Sequence, residues 1–336
     1  MSQLALTLSS GFVNAFLNAA EAAGDDAAFL RQQAGIAETV LKEPGGRVTE
    51  DQFVALYRLI AEKYDDELPQ LLSQPVRGGA LKFGVLSIIN APTMGVALYR
   101  YTRFLRLAIH DFQVELIHSP DISRIVIVEP RGGRRCKTMA IEMVLKVIHG
   151  LASWLVGREV RLLRVDFAFD SPSYAQEFQN LFPGPVFFNQ PASQIVLDSD
   201  QLSLRIQRVP RDVKPFIARL PRDWIFVSFK DSFVTHQVRE QLMRMGVGNM
   251  NIEEIAEALR MSSRTLCRKL EAERTSFKKV RDDLRRDLAV ELLNNSNESM
   301  LEIALELGFG EVSSFHRAFR TWTGATPGTY RHMKDS

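Results

Sequence analysis

The chain has 336 residues, 46% of them hydrophobic and 24% charged, and its formal net charge at pH 7 is +2. This length and composition are typical of about two globular domains and exclude a low-complexity chain. The net charge gives no indication of nucleic-acid binding, so any such function has to rest on the sequence pattern. We expect no apolar run that approaches the ~20 residues of a membrane span and no secretion signal at the N-terminus.

Two cysteines, Cys136 and Cys267, stand far apart in the sequence. This is typical of a protein from a reducing compartment and argues against a disulfide framework. Cys267 could be a redox-sensitive thiol or a small packing residue. The histidines show no ligand spacing, so we expect no metal site. We also expect no cofactor. The protein is expected to be cytoplasmic and to have no membrane segment.

The N-terminal part begins with helical patterns. Helical spacing of apolar residues covers 4–30 and resumes after Thr49, which is placed to cap a helix. The intervening Pro44-Gly45-Gly46 predicts a turn. Apolar and polar residues then alternate over 112–116 and 125–127, which predicts two short strands.

A long helix is predicted over 139–155, followed by strands over 160–169, 186–188 and 195–197. We therefore interpret residues 1–220 as an α+β domain for ligand sensing or dimerisation. Pro210, Pro215 and Pro221 crowd one stretch, which indicates a boundary near 205–235, and the linker is placed here at 221–235. Residues 236–336 show only helical patterns and are expected to form an all-α domain.

The C-terminal third contains the same helical pattern twice, at 251–270 and at 299–319. Each copy has a short apolar helix with an alanine, then a turn, then a second helix whose apolar face begins at Leu266 or Phe315. A small residue at the crossing point lets two helices pack closely, as a helix-turn-helix requires. The pattern therefore predicts two helix-turn-helix units.

Apolar residues between the copies recur every three to four positions over 276–294, which predicts one amphipathic linker helix. Its roughly 19 residues, at ~1.5 Å each, would span ~28 Å. Two recognition helices that read one face of B-DNA lie ~34 Å apart. This helix is therefore close to the length that would place the two units in successive major-groove segments.

The predicted outer faces of the second helices carry arginines and hydroxyl groups, which suit contacts with guanine and phosphate. Arg268 and Arg317 stand at matching places. The candidate DNA contacts are Arg264, Thr265, Arg268 and Lys269 in the first copy and Ser313, Ser314, His316, Arg317 and Arg320 in the second. The linker helix adds a basic edge for phosphates: Lys278, Lys279, Arg281, Arg285 and Arg286.

An all-α bundle with solvated charges is the alternative to a DNA-binding domain. Residues 236–336 are close to neutral overall, which does not exclude this alternative. Two copies of one pattern, each with an arginine at the matching place, favour DNA binding over it.

The C-terminal residues also resemble a known family. Residues 240–332 resemble the AraC/XylS family of bacterial transcription regulators, above all in LEIALELGFGEVSSFHRAFRTWTGATPGTYR. The stretch ALRMSSRTLCRKLEAERTSF is similar to the first helix-turn-helix unit of that family. The stretch YAQEFQNLFPGPVFFNQPASQIVLDSDQL is similar to the arabinose-binding-like N-terminal domain of a subgroup that contains ornithine-utilisation regulators.

The resemblance implies site residues and partners. Carried over by motif, base contacts fall on Arg264, Thr265 and Arg268, and on Ser313, His316 and Arg317. The sequence departs from the family pattern at Arg260 and Arg274, where glycine is usual and would supply a left-handed backbone at little cost. The implied partners are double-stranded DNA, RNA polymerase, a second copy of the chain and, for residues 1–220, a possible small-molecule effector.

The sequence leaves three alternatives open for residues 1–220: a sensor of a small molecule, a domain that only dimerises, or an enzyme fused to a DNA-binding domain. Asp166 and Asp170 have no paired base for acid–base catalysis, and Ser153 lacks the context of a nucleophile. We therefore expect no enzyme. The basic run 131–135 could bind an anion or form a solvated loop.

Overall fold

The computed structural model describes residues 7–130, 137–225, 234–248, 250–273 and 275–331. Its α helices are α1 (Ser10–Glu21), α2 (Ala27–Gln33), α3 (Glu38–Lys42), α4 (Glu50–Tyr64), α5 (Ala80–Ile88), α6 (Met94–Ala108), α7 (Thr138–Val156), α8 (Phe178–Leu181), α9 (Pro210–Ala218), α10 (Arg222–Ile225), α11 (Val234–Met245), α12 (Ile252–Ala258), α13 (Ser263–Ala272), α14 (Phe277–Asn295), α15 (Met300–Glu306), α16 (Val312–Thr323) and α17 (Pro327–Arg331). Its strands are β1 (Thr7–Ser9), β2 (Arg47–Thr49), β3 (Gln113–His118), β4 (Ile122–Val128), β5 (Arg164–Asp166), β6 (Val186–Phe187) and β7 (Ser193–Asp198), and 3₁₀ helices cover Ala175–Glu177 and Ser199–Ser203.

The chain forms two compact units, each built from separate stretches of sequence. The C-terminal unit consists of Met1–Asn14, Arg31–Phe53 and Ser228–Ser336, and the central unit consists of Ala15–Leu30 and Val54–Val227. This grouping differs from the contiguous division expected from the sequence. The physical reason is that β1 and β2 pair with each other and β2 packs on α14, which joins N-terminal residues to the C-terminal unit.

The central unit is built on a five-stranded sheet with the order β3-β4-β7-β5-β6. All neighbours are antiparallel except β5 and β6, and buried residues face each other in register, as Ile125 does with Ile195. The predicted strands and the α+β class are confirmed, but β5 is shorter than the 160–169 expected. Beyond its ends, Leu163 and Phe167 keep single backbone hydrogen bonds, to the carbonyls of Val196 and Phe187.

Helix α7 is the core helix of the central unit, because all its residues from Met139 to Val156 are buried. It is long and apolar enough to cross a membrane, so the expectation that no such run exists was wrong. Its apolar window is entirely buried in the protein, as in the core helix of a globular domain. Four buried polar residues follow the helical repeat along one stripe: Glu142, Lys146, His149 and Ser153.

The buried stripe on α7 perturbs the ionisation of its members. The hydroxyl of Tyr174 is 3.2 Å from both carboxyl oxygens of Glu142. Burial raises the pKa of Glu142 to about 8, although the Tyr174 hydrogen bond acts to lower it. Burial also lowers the pKa of Lys146 to about 8, with the Glu159 carboxylate acting in the opposite direction. Glu142 is therefore mostly protonated at neutral pH.

The N-terminal residues of the C-terminal unit form an antiparallel strand pair, β1 with β2, in which Thr7 faces Thr49 and Ser9 faces Arg47. We expected helix from residue 4 onward, and this was wrong for residues 7–9, because helix α1 begins only at Ser10. The partner strand of β1 lies about 40 residues further along the chain, where local apolar spacing carries no information about it. The C-terminal residues of this unit that the structure describes form helices α11 to α17, as predicted.

Candidate DNA-binding interface

Helices α12 and α13 form the first helix-turn-helix unit. A reciprocal capping box starts α12: Asn251 Oδ1 accepts from the Glu254 N–H at 2.9 Å, and Glu254 Oε2 accepts from the Asn251 N–H at 2.9 Å. Ile255 and Ala256 of α12 and Leu266 of α13 are fully buried. The small side chain of Ala256 leaves room for the two helices to cross closely, as the sequence predicted.

Helices α15 and α16 repeat this construction in the second unit. The Ser299 N–H donates to Glu302 Oε2 at 2.6 Å, and Ser299 Oγ accepts from the Glu302 N–H at 3.2 Å. Ile303, Ala304 and Phe315 are fully buried, at the places that correspond to Ile255, Ala256 and Leu266. The two predicted helix-turn-helix units are therefore both present.

The turns inside the two units share one backbone conformation. Arg260 has φ +56° and Gly308 has φ +77°, both in the left-handed region. The N–H groups of the following residues donate back to the carbonyls of the preceding helix, at 2.9 Å to Ala256 and at 2.8 Å to Ala304. The departure from glycine at Arg260 thus leaves the turn intact, whereas Arg274 lies outside the described residues.

The predicted base-contacting residues lie mainly on the exposed faces of α13 and α16. Arg268 and Arg317 each follow the fully buried residue Leu266 or Phe315 by two positions, so both point away from their cores. The exposed candidates are Arg264, Arg268, Lys269, Ser313, His316, Arg317 and Arg320, and the partly buried ones are Thr265 and Ser314. Their contacts with bases remain predictions.

Some of these side chains are held in place by short-range hydrogen bonds. Arg317 Nη2 donates to Ser314 Oγ at 3.1 Å, and Ser313 Oγ donates to Glu311 Oε2 at 3.0 Å. In the first unit, Ser262 Oγ accepts from the Thr265 N–H at 3.2 Å and caps α13. Several polar groups of the recognition helices are therefore hydrogen-bonded to neighbouring groups of the protein.

Linker helix α14 has 19 residues, the number predicted, and Ser276 caps it by accepting from the Lys279 N–H at 3.2 Å. Lys278 and Lys279 are exposed. Lys279 Nζ also lies 3.6 Å from Asp283 Oδ2. The sequence thus predicted both the extent and the charged start of this helix.

The arginines of α14 are engaged with other protein groups. Arg285 Nη2 donates to the Gly248 carbonyl at 3.0 Å, and its guanidinium lies 5.1 Å from the centroid of the Phe309 ring. The Arg281 guanidinium lies 5.7 Å from the Phe277 ring centroid. Arg286 forms ion pairs with Asp283 and Asp287, each at 3.0 Å. Phosphate contacts by Arg281 and Arg285 stay predictions.

Asp287 is a buried carboxylate in the middle of α14, which sequence reasoning missed. Its Oδ1 accepts from Thr7 Oγ1 at 2.6 Å and from Arg286, and its Oδ2 accepts from Arg239 Nη2 at 3.0 Å. Burial acts to raise its pKa, but Arg286, Arg239, Arg47 and the Thr7 hydroxyl outweigh burial and lower the pKa to about 2. The only signal in the sequence was an aspartate at a place where the helical repeat puts an apolar residue.

The other sequence candidates that lie within the described residues are not brought together into a second site. Cys267 is exposed on α13. Asp166 accepts from Arg164 Nε and from Gln194 Nε2, each at 2.8 Å, and Ser153 Oγ accepts from the Val160 N–H. Over the described ranges, no three His, Cys, Asp or Glu residues are placed to hold a metal ion. Cys136 and the basic run 131–135 lie outside the described residues.

Comparison with known proteins gives matches to both parts of the chain. The family described as the arabinose-binding domain of AraC transcription regulators, N-terminal, matches residues 24–206, more than half of the chain. A helix-turn-helix domain family matches residues 255–333, which include both helix-turn-helix units except the first residues of α12.

Individual proteins are also similar to this chain. The chain is 29% identical to an ornithine utilization regulator from Pseudomonas aeruginosa over 314 residues, which cover 90% of this chain and 89% of that protein. It is 38% identical over 77 residues to the regulator VqsM from the same species, covering 23% of this chain and 24% of that protein. Among solved structures, the regulator CdpR from Pseudomonas aeruginosa is 22% identical with a TM-score of 0.28, covering 83% of this chain and 90% of that chain.

Proposed function

Because the chain belongs to the AraC family of transcription regulators, we propose that it places both helix-turn-helix units of one chain on the same DNA duplex. The protein is a sequence-specific DNA-binding regulator with an α+β region in front of a helical DNA-binding domain. Beyond this family function, we propose which residues contact DNA and how the two units of one chain share the duplex.

The observation that carries the proposal is the equivalence of Arg268 and Arg317. Both are exposed, both follow the first buried residue of a recognition helix by two positions, and the two helix-turn-helix units that contain them are joined by the continuous helix α14. Arginine suits bidentate contact with guanine in the major groove. Two equivalent arginines on a fixed spacer therefore support two base-reading sites in one chain.

We assign direct base contacts to side chains on the outer faces of the recognition helices, and phosphate contacts to the first half of α14 and the end of α16. The base-contacting set is Arg264, Thr265, Arg268, Ser313, His316 and Arg317. The phosphate-contacting set is Lys278, Lys279, Arg281, Arg285 and Arg320.

The test is a quantitative gel-shift with Arg268→Ala and Arg317→Ala on a site selected from random DNA. Each substitution should weaken binding to that site by about 1–3 kcal/mol and relax preference at a few base pairs, while binding to random DNA changes much less. Arg100→Ala, at an exposed arginine of the central unit, is the matched control and should bind like the wild type. Full site preference in both test variants would refute the assignment.

We also propose a small-molecule effector for the central unit, supported by an apolar cavity there. Its lining includes Leu81, Tyr101, Phe104, Leu105, Val144 and Ile148. Its volume of about 20 Å³ is close to that of one water-sized sphere, so a metabolite would have to widen it. A ligand of the folded state must raise the melting temperature, so titration of the full chain with candidate metabolites tests this proposal.

Family membership supports the remaining proposals. We propose a cytoplasmic homodimer that acts on RNA polymerase and has no catalytic activity. Dimerisation would double the DNA site and so increase specificity. Sedimentation of the full chain, alone and on DNA, tests it, because a monomer at micromolar concentration in both samples would refute the dimer.

A further inference from the structure

The C-terminal unit contains N-terminal residues that lie outside the match to the helix-turn-helix family at 255–333. Strands β1 and β2 form what we call the N-terminal strand pair, Thr7–Ser9 with Arg47–Thr49. Strand β2 packs on linker helix α14, and α3 packs on α17, which follows the second recognition helix. The strand pair and the neighbouring helix α3 therefore contact the linker helix and the helix that follows the second recognition helix.

Thr7 and Arg47 connect the strand pair to the buried carboxylate of α14. Thr7 Oγ1 donates to Asp287 Oδ1 at 2.6 Å and accepts from Arg47 Nε at 2.8 Å. Arg47 Nη2 donates to the Thr7 carbonyl, and the Arg47 backbone N–H donates to the Tyr330 hydroxyl at 2.9 Å. Arg47 is 7% exposed and Asp287 is 2% exposed, so these bonds are shielded from water.

The network reaches both helix-turn-helix units. On one side, Asp287 accepts from Arg239 of α11, and α11 packs against α12 and α13 of the first unit. On the other side, Tyr330 belongs to α17, which packs against the second recognition helix α16, and its ring meets Phe319 edge-on at 5.1 Å. Arg47 and Thr7 thus lie in one hydrogen-bonded path between the supports of the two units.

Two further contacts join N-terminal residues to the linker helix and to the second recognition helix. Gln52 Nε2 donates to Asn294 Oδ1 near the end of α14 at 3.1 Å. The backbone of Gly45 approaches the end of α16 so closely that a Cβ there would lie 2.9 Å from the Trp322 carbonyl oxygen. The N-terminal segment therefore contacts the linker helix at two levels and the second recognition helix at its end.

We propose that the N-terminal strand pair is a positioning element for DNA recognition: Thr7 and Arg47, through Asp287, hold α14 in the orientation that aims both recognition helices at one duplex. This inference rests on the proposed function, in which both units read the same DNA. Thr7 and Arg47 do not touch DNA in this account. They act through α14, and their loss changes the geometry between the two units rather than the contacts of either one.

The physical basis of the proposal is that the buried Asp287 carboxylate needs hydrogen-bond donors from the protein. Asp287 must replace the hydration of its carboxylate by protein donors, and Thr7 is the donor supplied by the strand pair. Valine at position 7 keeps the shape of threonine but removes the hydroxyl. Arg239 and Arg286 still pair with Asp287 in such a variant, so the charge keeps partners while the link to the strand pair is lost.

The experiment uses the full-length chain and two DNA probes, both derived from a site selected from random DNA. We call the DNA segment read by one helix-turn-helix unit a half-site, so that one chain reads two of them. One probe carries both half-sites. The other carries only one, with the second half-site replaced by unrelated sequence. The measured quantity is the ratio of the affinities for the two probes. Thr7→Val should reduce this ratio about tenfold with the half-site affinity unchanged within twofold, and Thr7→Ser, which keeps the hydroxyl, should restore it.

Thr49→Val is the matched control, because Thr49 is a buried threonine paired with Thr7 across the two strands. Its hydroxyl accepts from the Gln52 N–H at 3.2 Å. It should lower the melting temperature and leave the affinity ratio unchanged. Arg47→Lys is the second test variant. This variant keeps the positive charge but loses the paired donors of the guanidinium, and it should also reduce the affinity ratio. It tests the inference independently if Thr7→Val does not fold.

An unchanged ratio in Thr7→Val or Arg47→Lys, measured in folded protein, would overturn the inference, and so would an equal reduction in Thr49→Val. Failure of the proposed function has a different signature, since the wild type itself would then bind both probes equally. That result would refute two-unit reading and, with it, the positioning role.

Discussion

The arginines of the C-terminal unit have two kinds of surroundings. Arg268 and Arg317 are exposed on recognition helices, whereas the Arg285 guanidinium donates to the Gly248 carbonyl and lies against the Phe309 ring. Burial and the neighbouring arginine on α14 lower the pKa of Arg285. A guanidinium held by protein groups must give up those contacts to reach DNA, and an exposed one does not. Base recognition is therefore expected to depend mainly on Arg268 and Arg317.

Glu142 makes the stability of the central unit depend on pH. Burial raises its pKa to about 8 in the folded chain, from an ordinary value of 4.5. A raised pKa means that the folded state holds a proton that the unfolded state releases above pH 4.5. The stability is therefore complete below that pH and is lost progressively as the pH rises toward 8, by up to ~1.4 kcal/mol per pH unit.

Glu142→Gln should remove this dependence, because an amide has no proton to lose and can still accept from Tyr174. Thermal melting of wild type and variant at pH 5.5, 6.5 and 7.5 is the measurement. We expect the variant to gain melting temperature relative to the wild type as the pH increases. A constant difference across the three pH values would show that Glu142 is ionised in the folded protein.

Single residues of the site differed in how far the sequence could predict them. Arg268 and Arg317 could be placed on exposed faces, because the helical repeat of their own segments fixes those faces. Asp287 could not be recognised, since its partners Thr7 and Arg239 lie in distant parts of the sequence. Its role follows from tertiary contacts, which local periodicity does not report.

At the scale of elements, the turns of the two helix-turn-helix units form a natural comparison. Both turns use a left-handed residue, Arg260 in one unit and Gly308 in the other. A non-glycine residue pays a steric cost for this conformation. Arg260→Gly should therefore raise the free energy of unfolding by up to about 1 kcal/mol, after the larger entropy of glycine in the unfolded chain is counted. Chemical denaturation measures the change.

The reverse substitution is the control for this prediction. Gly308→Ala should lower the free energy of unfolding by more than about 2 kcal/mol. Its Cβ would lie 2.0 Å from the Gly248 Cα, and its φ would stay unfavourable. Loss of stability in Arg260→Gly would mean that the arginine side chain contributes more to the turn than its backbone strain costs.

Elements defined by local pattern were predicted well, and elements defined by distant pairing were not. Helix α14 was expected over 276–294 and spans Phe277–Asn295, because its apolar repeat and its cap lie within the segment. Strands β1 and β2 have three residues each, and each depends on the other for its hydrogen bonds. Such short strands carry no alternation long enough to be recognised from sequence.

At the scale of the whole molecule, the ranges matched by the two sequence families do not coincide with the two compact units. The family matches cover 24–206 and 255–333, whereas the C-terminal unit also takes up Met1–Asn14 and Arg31–Phe53. A fragment that begins at residue 236 lacks Thr7 and Arg47 and so loses part of the support of α14. Deletion experiments on this protein are therefore best interpreted beside point variants of the full chain.

The central claim is that one chain reads two adjacent major-groove segments of one duplex. Methylation-interference footprinting of the full-length chain on its selected DNA site tests this claim most directly. For each bound chain we predict two interference regions on one face of the duplex, with centres ~10–10.5 base pairs apart. Arg268→Ala should weaken one region and Arg317→Ala the other. A single region per chain, insensitive to one of these substitutions, would contradict the account.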